Sequence, residues 1–149
     1  MILVLDASVL IAYLDKDDTH WSAAVRLLLD AATNDTDLVV NPVTLAEVLV
    51  APTREGREDR ALSALADIGV TEVPFPRDAS RTLARLRCTG LKMPDCCVLL
   101  TALNQRAALA SYDERLLRAA DQQRIPVQAM LTPEPPPSEL PPPPSPSTL

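Results

Sequence analysis

Ile2-Leu3-Val4-Leu5 is a wholly apolar run of four residues that stops at an acid, Asp6. A strand with no polar side is buried on both faces, and sheets of such strands are parallel and covered by helices. Leu38-Val39-Val40 is a second apolar run, Val70 to Pro74 reads as a third strand, Leu109 and Ala110 begin a fourth, and Pro126 to Met130 suits a fifth. The intervals read as helices. Ala7 to Leu14 is short. A longer one from Thr19 has Trp21, Ala24, Val25, Leu28 and Ala32 at core spacing. Asn41 as cap and Pro42 as first residue open a helix through Val50. Others are predicted over Arg54 to Ile68, ended by Gly69, and over Arg77 to Arg87, closed by Gly90. A helix entered at Pro94-Asp95 carries the uncharged run Cys96 to Leu103 and should be buried nearly all round. The last helix starts at Asp113 and reaches Gln122. Strands alternating with helices define an α/β fold with a mainly parallel sheet.

A chain of 149 residues fits one domain. Nine of its 15 prolines fall in residues 132–149, where Leu140 and Leu149 are the only large apolar side chains. That segment is expected to be a disordered tail, because it buries too little to offset its ordering entropy. The domain is then 1–131. No apolar stretch reaches the roughly 18 residues of a membrane span. The N-terminus has no basic segment and carries an acid at position 6, unlike a secretory signal, so a cytoplasmic protein without membrane contact is expected. Cys88, Cys96 and Cys97 have neither the count nor the spacing of a disulfide framework or a zinc site. They read as buried apolar residues.

Ligands of open parallel sheets bind beyond the carboxyl ends of the strands. Asp6 ends the first strand, Glu47 lies in the second turn of the helix after the second, Asp95 begins the buried helix, and Asp113 follows the fourth strand by two residues. All four can reach one edge. Carboxylates within ~4 Å of each other repel by ~4 kcal/mol per pair at a surface-like dielectric, so such a set calls for protons or a cation. Hard oxygen donors suit Mg²⁺ or Mn²⁺. His20 is the only histidine, which excludes a His-rich zinc site. There is no G-x-S-x-G elbow of a serine hydrolase. Residues 1–131 hold 18 acids and 14 bases, so the four acids account for the whole excess. Each also has a plainer use: Asp95 and Asp113 as helix caps, Glu47 as a solvated helix residue.

LDASVLIAYL, VTLAEVLVAP, MPDCCVLLTAL and ASYDERLL resemble, in order, the four motifs of PIN-domain ribonucleases. Size and spacing are similar to the VapC-type toxins of toxin–antitoxin pairs. The resemblance covers about residues 1–131 and departs in detail at Cys96-Cys97, at Ser111 for the commoner Thr, and at Leu116 for an aromatic. It implies a three-layer α/β/α fold with a mainly parallel central sheet of four to five strands, and a metal-dependent endoribonuclease that leaves a 5′-phosphate and a 3′-hydroxyl. On that footing Asp6 and Asp95 are the main ligands of Mg²⁺ or Mn²⁺, Asp113 is a further ligand, and Glu47 holds a second ion or orients water. Ser8 and Ser111 hold the carboxylates. The resemblance also implies a cognate antitoxin and a homodimer, for which the first two helices around Leu14 and Trp21 offer an apolar face.

RNA needs cationic contacts. Arg77, Arg81 and Arg85 recur every four residues opposite Ala79, Leu83 and Leu86, and Arg54, Arg57 and Arg60 form a second set. Four aromatic residues, Tyr13, Trp21, Phe75 and Tyr112, are too few for a stacking platform, so phosphate contact and RNA shape should dominate. Two alternatives remain: a receiver-like phosphoacceptor domain, against which the lack of any Lys beyond Lys92 counts, and a PIN-like RNA-processing nuclease or non-catalytic interaction module.

Overall fold

A computed structural model describes residues 1–128. Its elements are β1 (Ile2–Leu5), α1 (Ala7–Leu14), α2 (Trp21–Thr33), β2 (Asp37–Val40), α3 (Pro42–Arg54), α4 (Glu58–Asp67), β3 (Val70–Glu72), α5 (Ala79–Arg87), α6 (Met93–Gln105), β4 (Ala108–Ala110) and α7 (Glu114–Gln122). The strands pair in the order β3-β2-β1-β4, all parallel. The central position of β1 explains its apolar character: neighbours flank it on both edges and helices cover both faces.

The two-residue period of a strand splits the core in two. Leu3, Leu5, Leu38, Val40 and Ala110 face α1, α2, α3 and α4. Val4, Val39 and Leu109 face α5, α6 and α7. This is the three-layer α/β/α architecture. α6 is apolar around its circumference, with Cys96 to Ala102 all buried and Leu103 38% exposed at the rim.

Several boundaries differ from expectation. α3 continues past Val50 through a buried Pro52, whose packing offsets the i→i−4 hydrogen bond it cannot make. A glycine stops it. Gly56 sits at φ +68°, and the N–H groups of Gly56 and Arg57 bond the carbonyls of Thr53 and Pro52 at 3.2 and 2.7 Å, the paired closure of a Schellman motif. α4 therefore begins at Glu58 rather than Arg54. Pro74 and Pro76 keep the chain extended before α5, and Asp78 is left-handed at φ +62°, so Arg77 lies outside that helix. In α2 the buried set is Ala23, Ala24, Leu27, Leu28 and Ala31, while Trp21 and Val25 are half-buried and Ala32 is exposed. Cys88 is exposed, unlike Cys96 and Cys97, and all three are free thiols.

The expected fifth strand is present as a single parallel bridge from Val127 to Leu109, closed by Leu109 N–H to Pro126 O and Gln128 N–H to Leu109 O, both 2.9 Å. Ala129 and Met130, the rest of the proposed 1–131 boundary, and the proline-rich segment 132–149 with its expected disorder lie outside the described residues. Among the described residues no helix is long and apolar enough to cross a membrane.

Candidate active site

The chain leaves β1 toward β2 and β3, then returns to place β4 on the other side of β1. That reversal opens a crevice at the carboxyl ends of β1 and β4. Asp6 lies in it, its N–H bonded to the carbonyl of Ala110 at the end of β4 (3.0 Å). Asp6 occupies the cap position of α1, yet its side chain makes no cap hydrogen bond. Its carboxylate instead accepts two hydroxyls on one oxygen: Ser8 Oγ donates to Oδ2 at 2.8 Å and Ser111 Oγ at 2.7 Å. The direction of these bonds is fixed from behind. Tyr112 N–H donates to Ser8 Oγ (3.0 Å) and Asp113 N–H to Ser111 Oγ (2.9 Å). Each hydroxyl thus accepts from the backbone on one lone pair and keeps its single proton free for the closer Asp6 oxygen rather than the 3.4 Å Ser8–Ser111 contact.

The other acids arrive from three further elements. Asp113 caps α7, Oδ1 accepting from the N–H groups of Arg115 and Leu116 at 2.9 and 3.4 Å; its capping and site roles coexist. Asp95 is in the first turn of α6 but is not its cap, which is Lys92. Glu47 projects from α3 and is exposed. Their electrostatics link them. Burial, then Asp6, then Asp95 raise the pKa of Glu47. Burial raises that of Asp95, reinforced by Asp113 and Asp6 and opposed by Lys92 and Arg115. Four carboxylates thus share one field, with two of them drawn toward protonation.

Beside the acids runs a groove of about 740 Å³ between the α1–α2 and α3–α4 pairs. Tyr13, Leu14, Trp21, Val25 and Val48 give it an apolar floor, Glu47 stands in its wall, and Lys16, Arg57 and Arg60 add cations. Arg57 is held by an exposed ion pair with Glu55.

A family model of the PIN domain matches residues 3–122. The chain belongs to the PIN-domain family. No curated protein matches this PIN domain in sequence, but its backbone has similar solved structures. A chain of the VapBC2 complex of Rickettsia felis, bound to a promoter DNA fragment, has a TM-score of 0.67 at 16% identity, over 87% of this chain and 99% of that one. VapC20 of Mycobacterium tuberculosis, a sarcin–ricin loop cleaving toxin, has 0.63 at 13%, over 78% and 94%. A chain of a toxin–antitoxin complex from Klebsiella pneumoniae has 0.63 at 22%, over 74% and 86%. At such identities the likeness is one of fold. The sheet order of this PIN domain also departs from the 2-1-3-4-5 order of receiver domains, which removes that alternative.

Of the residues singled out by the sequence motifs, Ser8 and Ser111 are hydrogen-bonded to Asp6 and the Asp113 N–H to Ser111, while Glu47 and Asp95 are linked to these acids through their charges. Arg81 and Arg85 are exposed on α5 and Arg77 is exposed just before it, so the three do not share a helix face as their spacing suggested. Leu14 and Trp21, expected to offer a dimer face, line the groove instead. The sequence pointed to neither Lys92 nor Arg115, though each lies within three residues of a motif acid, and their charges act on Asp95. For a divalent cation, the donor chemistry fits: hard carboxylate oxygens that repel one another, opposed at Asp95 by Lys92 and Arg115. Among the described residues no three such side chains form a ready-made cage.

Proposed function

We propose that this PIN domain is a divalent-metal-dependent endoribonuclease and the toxin of a toxin–antitoxin pair. The observation that carries the reading is the shared field of Asp6, Glu47, Asp95 and Asp113 at the β1–β4 crevice, with Asp6 pinned by two hydroxyls. Asp6 and Asp95 are the residues that would hold Mg²⁺ or Mn²⁺, Asp113 a further ligand, and Glu47 the group that orients water or holds a second ion. Such a cation supplies a more acidic water, polarisation of the scissile phosphate and charge to offset the leaving 3′ oxygen. Ser8 and Ser111 aim the Asp6 carboxyl group through their hydrogen bonds to Oδ2. Lys92 and Arg115 temper the negative field where a phosphate must approach. Arg77, Arg81 and Arg85 are proposed as backbone contacts for RNA.

A sarcin–ricin loop cleaving toxin among the similar structures supports structured RNA as substrate. The partner follows from the groove and from similar chains solved in toxin–antitoxin complexes. An antitoxin segment with apolar side chains for the Leu14 and Trp21 floor and an Arg for the acids would shut the site, the guanidinium standing where the cation belongs. A homodimer is proposed as well. The test uses purified chain free of any partner, structured RNA and Mn²⁺. Cleavage by the native protein and none by Asp6→Asn is the expected result. Equal cleavage by both would overturn the reading.

A further inference from the structure

The segment that holds Asp6 is itself held from outside the site. Tyr112 lies between Ser111 and Asp113, and its N–H is the donor that turns Ser8 toward Asp6. Its ring packs against the α1–α2 core. The Tyr112 hydroxyl is buried and has no hydrogen-bond partner among the described residues, so no hydrogen bond at its tip fixes the ring. What meets the ring is His20, stacked on it with centroids 4.2 Å apart and planes inclined by 21°. His20 is anchored in turn. Its N–H donates to Asp18 Oδ1 at 2.8 Å, and its carbonyl accepts from Ala24 N–H in the first turn of α2 (2.9 Å). A second Asx bond, Asp17 N–H to Asp15 Oδ1 at 3.0 Å, stiffens the same loop.

We propose that His20 is a positioning residue of the acidic site, its stack on Tyr112 fixing the β4–α7 loop so that Ser8 and Ser111 aim at Asp6. The chain of contacts runs from the α1–α2 loop through two rings to one backbone N–H, one hydroxyl and one carboxylate oxygen. An imidazole stacked on a phenol restricts two side chains with few rotatable bonds at small entropic cost. Displacement of Tyr112 would loosen both hydroxyl contacts together, because the donors to Ser8 and Ser111 are the N–H groups of Tyr112 and Asp113, adjacent in the chain. The effect on turnover rests on the nuclease reading; the effect on the loop does not.

The experiment compares the full chain with His20→Ala and His20→Phe, the second keeping a ring to stack. Amide hydrogen exchange is measured at Tyr112 and Asp113 without metal, with Val4 of β1 as an internal check on the fold, and RNA cleavage is measured with Mn²⁺. In His20→Ala, exchange at Tyr112 should rise about tenfold while Val4 keeps its protection. Turnover should fall roughly tenfold with KM unchanged, and His20→Phe should restore both. Native exchange at Tyr112 in His20→Ala, or a Phe variant no better than the Ala variant, would overturn the proposal. Faster loop exchange that Phe repairs, in a protein that cleaves no RNA even as wild type, would uphold the clamp and reject the nuclease reading.

Discussion

Asp6 is only 8% exposed, and two hydroxyls are dedicated to one of its oxygens. Hydrogen bonds to a charged group contribute about 1.5–3 kcal/mol, and orphaning a buried partner costs a similar amount. Ser111 is fully buried and serves both Asp6 and the Asp113 N–H. Ser111→Ala should therefore lose about 2 kcal/mol in denaturant unfolding and weaken Mn²⁺ binding by roughly 10–100-fold in a metal titration. Unchanged metal affinity would remove the serine from the site. Asp95 contributes through its charge. Its pKa is raised in the folded chain, so the folded state binds that proton more tightly than the unfolded one. Its contribution favours folding below the ordinary carboxylate range and is lost as pH rises through the raised value; Glu47 has the same sign. Without divalent cations at pH 7, Asp95→Asn should melt a few degrees above the native chain. The gap should shrink as the pH falls and the native carboxyl takes up its proton, and it should shrink with added Mg²⁺. Thermal unfolding checks this, and a lower melting temperature for Asp95→Asn at pH 7 would contradict it.

The elements bring these residues together by local rules that act over a few positions. α3 starts at Pro42, after Asn41, whose Oδ1 accepts the Thr44 N–H at 2.8 Å while its amide donates to Thr44 Oγ1 at 2.9 Å, all within the core. This cap sets the phase of α3 and so the direction of Glu47, one and a half turns on. Asn41→Ala should cost about 1–2 kcal/mol and lower turnover beyond what the lost stability explains. Equilibrium unfolding beside cleavage rates separates the two. Signals of this kind were legible in the sequence. Short apolar runs mark β1, β2 and β4, Asn41-Pro42 marks a helix start, and acids directly after strands mark a carboxyl edge. What was not legible depends on contacts between distant segments. Trp21 has core spacing along α2 but faces the groove, because the wall opposite it comes from α3 and α4. Cys88 is apolar by type but sits in the exposed turn after α5. α3 runs through Pro52 because burial against a neighbouring helix outweighs the local preference to stop. The stack of His20 on Tyr112 joins two segments that no periodicity connects.

For the whole molecule, the order β3-β2-β1-β4 matters most, since it sets the reversal that puts Asp6 and Asp113 at one crevice and leaves Glu47 shared between crevice and groove. On the proposed function one surface would have two uses: cations would bring RNA to the acids, and an inhibitor lying in the groove would meet Glu47 in its wall. Expression of this chain alone should arrest bacterial growth, and co-expression of the small neighbouring reading frame should relieve the arrest. Harmless accumulation of active, soluble protein would count against the toxin assignment and shift weight to RNA processing. The central claim is that RNA is hydrolysed by water activated at these carboxylates rather than by the 2′-hydroxyl of the substrate. The chemistry of the cut ends tests it most directly. With purified chain, Mn²⁺ and a structured RNA labelled at each end, the account predicts 5′-phosphate and 3′-hydroxyl termini that are absent in EDTA and absent with Asp6→Asn. Termini carrying a 2′,3′-cyclic phosphate, or cleavage that persists in EDTA, would contradict it.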